Sequence, residues 1–197
     1  MHRYFVLILS ILIFSCERTL TQEELEAYIL EPSHGLIQSS EARGLRVEVL
    51  LRPGSLIAYQ EYKQQNSSLE IKKQAEEKYK HNLYFTVNVS QDQQDPLYKL
   101  GDVSRYRKVL QELAFRMSSH ARLISSAGDT VAVADYAFPH LYGMSDAVSV
   151  LFAFPADSLA TYNWLELEWN DPGFGSGDQK FRFAKNDIEN IPELKWE

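Results

Sequence analysis

Beyond residue 44, apolar residues recur at every second position over most of the chain. In LRVEVLLR, Leu45, Val47, Val49 and Leu51 fall on one side and Arg46, Glu48, Leu50 and Arg52 on the other. That period predicts a strand with one mostly polar face. Leu83, Phe85, Val87 and Val89 repeat the pattern. Residues 121–125 and 130–136 flank Ala127-Gly128-Asp129, a hairpin signal. AVSVLFAF, residues 147–154, is apolar at nearly every position and reads as a central strand buried on both faces. Residues 164–169 and 180–185 alternate again and are joined by NDPGFGSGDQ, which gives about seven strands in all.

Helical spacing interrupts the strands. Thr21-Gln22-Glu23-Glu24 is a capping box, with Leu20 and Leu25 at the staple positions on either side. The helix it opens carries Leu25, Tyr28 and Ile29 on one face and ends near Pro32. A second capping box, Ser67 to Glu70, opens a charged helix over 67–80. Val103, Tyr106, Leu110, Leu113 and Met117 recur at three- and four-residue spacing, an amphipathic helix. A weaker helix covers 55–63. Strands that outnumber helices, without regular βαβ alternation, predict an α+β domain. Its expected form is a mainly antiparallel sheet or a decorated β-sandwich, with two to four helices.

The first sixteen residues follow a different rule. His2 and Arg3 precede an apolar run from Tyr4 to Phe14, broken only by Ser10. Eleven residues are too few to span a bilayer, which takes about 20. A basic start and a run of that length are the pattern of a secretory signal peptide. The run ends at Ile13-Phe14-Ser15-Cys16, and Cys16 is the single cysteine of the chain.

Ile13-Phe14-Ser15-Cys16 resembles the lipobox of bacterial lipoproteins: an aliphatic residue, a variable one, a small one, then cysteine. Phe14 is bulkier than the residue usual at its place. The resemblance implies that residues 1–15 are removed. Cys16 then becomes the mature N-terminus, with a thioether-linked diacylglycerol and an amide-linked fatty acid such as palmitate. Several acyl chains anchor stably where one binds only marginally. The expected organisation is a signal peptide over 1–15, a short tether over 16–20 and one globular β-rich domain over 21–197. The resemblance places that domain in the bacterial cell envelope, at the periplasmic or surface face of the outer membrane.

Composition narrows the possible partners. Loss of Arg3 with the signal takes the net charge from −7 to −8. An acidic chain without a Lys/Arg cluster is poorly suited to nucleic acid or to electrostatic adhesion on anionic lipid. With no cysteine after Cys16 the mature domain has no disulfide, and its 182 residues must hold by their core.

The chemistry-bearing motifs are few. Nucleophile-elbow, Walker and zinc-protease patterns are absent from the sequence. His34, His81, His120 and His140 lie in different predicted elements without metal-site spacing. No metal and no cofactor is therefore expected. In WLELEW, Trp164, Glu166 and Glu168 share a face, with the carboxylates about 6–7 Å apart. That distance is compatible with glycoside hydrolysis. Lys180 and Arg182 on the partner strand instead favour cross-strand ion pairs. Asp171 and Asp178 in NDPGFGSGDQ are hard-cation ligands by type but lack calcium-loop spacing, and a flexible hairpin loop fits better. YAFPHLYGM, residues 136–144, supplies candidate partner-binding residues Tyr136, Phe138, His140 and Tyr142, with Trp164 as a fifth. The expected function is non-catalytic binding of a protein or glycan partner by a membrane-tethered envelope lipoprotein. The alternative is an envelope hydrolase with a distributed site, since triads assemble from distant sequence.

Overall fold

The computed structural model describes residues 19–196 except 66, 67, 140, 142, 143 and 160. The lipobox calls, Cys16 included, lie outside the described residues. The order is β1 (Thr19–Leu20), α1 (Gln22–Leu30), β2 (Ile37–Ala42), β3 (Leu45–Arg52), α2 (Gly54–Gln64), α3 (Leu69–Tyr79), β4 (Asn82–Ser90), α4 (Val103–Phe115), β5 (Ala121–Ser125), β6 (Thr130–Ala132), β7 (Asp135–Ala137), β8 (Val148–Pro155), β9 (Trp164–Trp169), β10 (Gln179–Ala184), α5 (Lys185–Glu189) and β11 (Glu193–Leu194). The fold is α+β with mostly antiparallel sheets. Its eleven strands and five α-helices among the described residues exceed the seven strands and two to four helices expected.

A five-stranded sheet runs β2-β3-β4-β8-β7 and a four-stranded sheet β10-β9-β5-β6, both antiparallel throughout. Strict alternation aims Val47, Val49, Leu51, Phe85, Val87 and Val89 at one face of the large sheet, and all are buried. Leu165, Leu167, Phe181 and Phe183 of the small sheet are buried in the same core. The sheets meet through rings: Phe85 and Phe183 centroids are 5.2 Å apart, and Phe152 and Trp169 are 6.2 Å apart.

Several expectations shift. β8 buries Val148, Val150, Phe152 and Phe154 inward, but Ser149 and Leu151 on its other face stay half-exposed, so only one face is fully packed. The strand expected over 130–136 is two strands, and they belong to different sheets. β2 is too polar for its alternation to register. It forms a hairpin with β3 through Arg43 and Gly44, both at positive φ, as a two-residue turn of that hand requires.

Helix α1 opens with the expected capping box: Thr21 Oγ1 accepts from the Glu24 amide, and Glu24 Oε2 accepts from the Thr21 amide. The cap of α3 falls one residue late, at Ser68, which accepts from the Ile71 amide. α4 buries Val109 and Leu113, and Met117 follows them. Val103 lies beyond that contact and is exposed. Thr19 and Leu20, expected in the tether, pair in parallel with Glu193 and Leu194.

Candidate functional site

β7 is the edge strand of the large sheet, and a cleft of about 640 Å³ separates it from α4. Leu110, Gln111, Ala114 and Phe115 line the helical wall, and Asp135, Tyr136 and Phe138 the other. The helix presents these residues because Val109 and Leu113 take its core-facing positions. Phe115, in the last helical turn, is 78% exposed. Tyr136 and Phe138 are half-buried, packed against the core on one side. The Tyr136 hydroxyl donates to the Ala114 carbonyl at 3.1 Å and so joins the two walls. Its ring lies 6.5 Å from Phe152, which continues the aromatic contacts inward. Asp135 Oδ1 accepts the Tyr136 amide at 2.8 Å, which occupies a backbone donor that an edge strand otherwise leaves open.

Of the sequence-derived candidates, Tyr136 and Phe138 come together here. His140 and Tyr142 lie outside the described residues. Trp164 does not line the cleft. It stands half-buried at the start of β9, with the Arg182 guanidinium carbon 4.0 Å above its ring. Phe115 is the residue that the pattern missed. An aromatic residue on the polar side of an amphipathic helix was its only signal.

The paired carboxylates of β9 are saturated by cations. Glu168 faces Arg122 on β5 and Lys180 on β10, and Glu166 faces Arg182. Glu168 hydrogen-bonds Arg122 and lies 2.5 Å from Lys180 Nζ, while Arg182 Nη2 donates to Glu166 at 2.8 Å. The cations are exposed, but the carboxylate side chains beneath them are only 8% and 13% exposed. The Lys180 and Arg122 hydrogen bonds hold Glu168 below the usual carboxylate pKa. A general acid in glycoside hydrolysis needs the opposite shift.

On the other side of β7, Glu61 accepts from Lys78 at 2.7 Å and from the Tyr79 hydroxyl. The lysine bond, then the tyrosine bond, lower the Glu61 pKa. Lys78 is raised by Glu61, and Tyr79 is raised by burial and then by Glu61. The histidines have separate local roles. His34 stacks on Tyr28, His81 lies near Glu77 and Asp157, and His120 contacts Glu112 and the Asn170 carbonyl. Among the described residues, no group of three or more His, Cys, Asp or Glu is placed to hold a metal ion.

NDPGFGSGDQ is ordered around its own aspartate, not the flexible loop expected. The Asp171 carboxylate accepts the amides of Gly173, Phe174, Gly175 and Gly177, at 2.5–3.3 Å. Arg105 of α4 donates to the Gly173 and Phe174 carbonyls. Gly173, Gly175 and Gly177 all take positive φ, which glycine adopts at little cost. With four amides on its oxygens, Asp171 serves the loop instead of a cation.

No family model matches the chain, and no curated protein does. Two solved structures are similar to it. One is a DUF4426 family protein from Pseudomonas aeruginosa PAO1, 12% identical over 76% of this chain and 93% of that one, with a TM-score of 0.40. The other is a novel protein of unknown function from Burkholderia pseudomallei K96243, 13% identical over 90% and 96%, with a TM-score of 0.43. At those scores neither likeness bears on function.

Proposed function

We propose that the chain is a lipid-anchored protein of the bacterial envelope that binds a protein or glycan partner without catalysis, through the cleft between α4 and β7. The observation that carries this reading is Phe115, a large ring 78% exposed on the rim of a cleft already lined by Tyr136 and Phe138. Exposed aromatics of this kind supply contact area on a partner's apolar side chain or a sugar face. The hydrolase alternative asks for a perturbed titratable group in a pocket. The shifts of Glu61 and Glu168 arise instead from cations and hydroxyls that already satisfy them. Anchorage at Cys16 follows from the lipobox resemblance, which also gives the envelope location.

A photo-crosslinking residue in place of Phe115, in the full-length chain in its own envelope, tests the reading. A discrete adduct at 115, absent with the crosslinker at exposed Glu189 on α5, is expected. Its digestion by protease or by glycosidase identifies the partner's class. Equal labelling from both positions, or none from 115, overturns the assignment.

A further inference from the structure

Where the described chain enters its fold, an aromatic cluster lies at the edge of the core: Tyr59 is buried in it, and Tyr62 and Trp196 pack half-buried against it. β1 lies beside β11, and the Lys195 amide donates to the Leu20 carbonyl at 2.8 Å. One residue further on, the Trp196 ring meets the Tyr59 and Tyr62 rings edge-on, both at 5.2 Å. Lys72 Nζ sits 4.6 Å from the Trp196 ring centroid, and Lys63 Nζ 5.1 Å from that of Tyr59. Leu69, one helical turn before Lys72, is 70% exposed. Tyr62 and Trp196 are half-buried.

The tether limits how far this surface stands from lipid. Three Cα–Cα steps separate Cys16 from Thr19, a span of at most about 11 Å. Because β1 and β11 run parallel, Trp196 lies three residues past Glu193, the partner of Thr19, about 10 Å further into the body along the strand direction. The composition is that of residues which settle at a membrane–water boundary. Tryptophan and tyrosine rings sit at headgroup level, and lysines lay their stems along apolar surface with the charge in water. Glu70 and Glu76 on α3 offset the lysines, so the attraction is aromatic and apolar more than electrostatic. Tethering makes even a weak contact intramolecular, and a short linker gives a high effective concentration.

We propose that this patch, formed by Trp196 and by the Leu69 end of α3 that Lys72 joins to it, is the face by which the anchored body rests on the lipid bilayer. The inference rests on the lipid anchor at Cys16 proposed above.

Full-length lipidated protein, reconstituted into phosphatidylcholine vesicles with brominated acyl chains, tests it through tryptophan quenching. Trp169 is fully buried and Trp164 is covered by Arg182, so Trp196 is the ring expected to be quenched. Quenching that disappears in Trp196→Phe and falls in Leu69→Asp supports the proposal. Leu69 faces solvent, so its substitution keeps the fold and reads the contact independently. Vesicle-bound protein with no quenching, or with quenching that both substitutions leave unchanged, overturns the patch and leaves the anchor standing. A chain that does not float with the vesicles overturns the anchor reading, and the patch with it.

Discussion

Lys180 stands directly across the strand pair from Glu168, with Nζ 2.5 Å from Oε1. The lysine is exposed and the carboxylate is not, so the pair behaves unlike two charges in free solvent. Exposed pairs contribute about 0.2–1 kcal/mol. Glu168→Gln is expected to cost about 1–2 kcal/mol by urea unfolding, since hydrogen bonds to charged groups are worth more. Glu166→Gln should cost less, because the second of its two cations, Lys180, stands farther off at 3.5 Å.

The same pair gives a pH dependence. The folded-state pKa of Glu168 is depressed below its unfolded value, as is that of Glu61. The stability each supplies is fully present above the unfolded value, about pH 4.3. It is lost as pH falls through the folded value. Stability measured from pH 6 down to pH 3 should therefore drop less steeply in Glu168→Gln than in the wild type. Identical slopes would remove Glu168 from the acid limb.

Phe183 is fully buried, 5.2 Å from Phe85, at the meeting of the two sheets. Phe183→Ala is expected to cost about 3–5 kcal/mol through lost transfer energy and the cavity left behind. Phe181→Ala, at a position almost as buried, should fall in the same range.

Asp171 accepts the amides of Gly173, Phe174, Gly175 and Gly177. Asp171→Ala is expected to cost about 2–3 kcal/mol, the penalty for leaving such donors short of partners. Hydrogen exchange should quicken selectively at 173–177. Unchanged protection there would mean that Arg105 and Arg43 order the segment without Asp171.

With Cys16 lipidated as proposed, lengthening the tether would separate a soluble ligand from a fixed neighbour. About 20 Gly/Ser residues inserted after Arg18 add an r.m.s. reach of roughly 25 Å. Thermal unfolding should not change, because β1 and the capping box lie beyond the insertion. Crosslinking from position 115 to a membrane-embedded partner should weaken, whereas a diffusible ligand would be captured as before.

The features legible in the sequence are those set by neighbours along the chain. The β9–β10 hairpin and its ion pairs follow from period-two alternation with charges of opposite sign, and the Thr21 cap from four consecutive residues. Features set by tertiary contact were not legible. Nothing local marks Val133 and Ala134 as the place where the chain leaves one sheet for the other. Val109 and Val103 are the same residue type on the same helix, and only the body beneath decides that the first is buried. Tyr136 and Phe138 were visible in the sequence as part of an aromatic cluster, but Phe115 joins them in the cleft only because α4 packs beside β7. Asp171 was visible as a carboxylate among glycines. Read as a possible ligand, its carboxylate is instead consumed by the amides those glycines turn inward.

The pairing of β1 with β11 also sets an order of events. These are the first and last of the described strands, so every other described strand has already been delivered when their hydrogen bonds can form. Of the described strand pairs it has the largest sequence separation and so the largest loop-closure cost, which favours its forming late. Among the described strand pairs this seam is thus the one expected to close last. Until it closes, Leu20 and Leu194, both buried in the finished fold, are open to whatever escorts the unfinished protein.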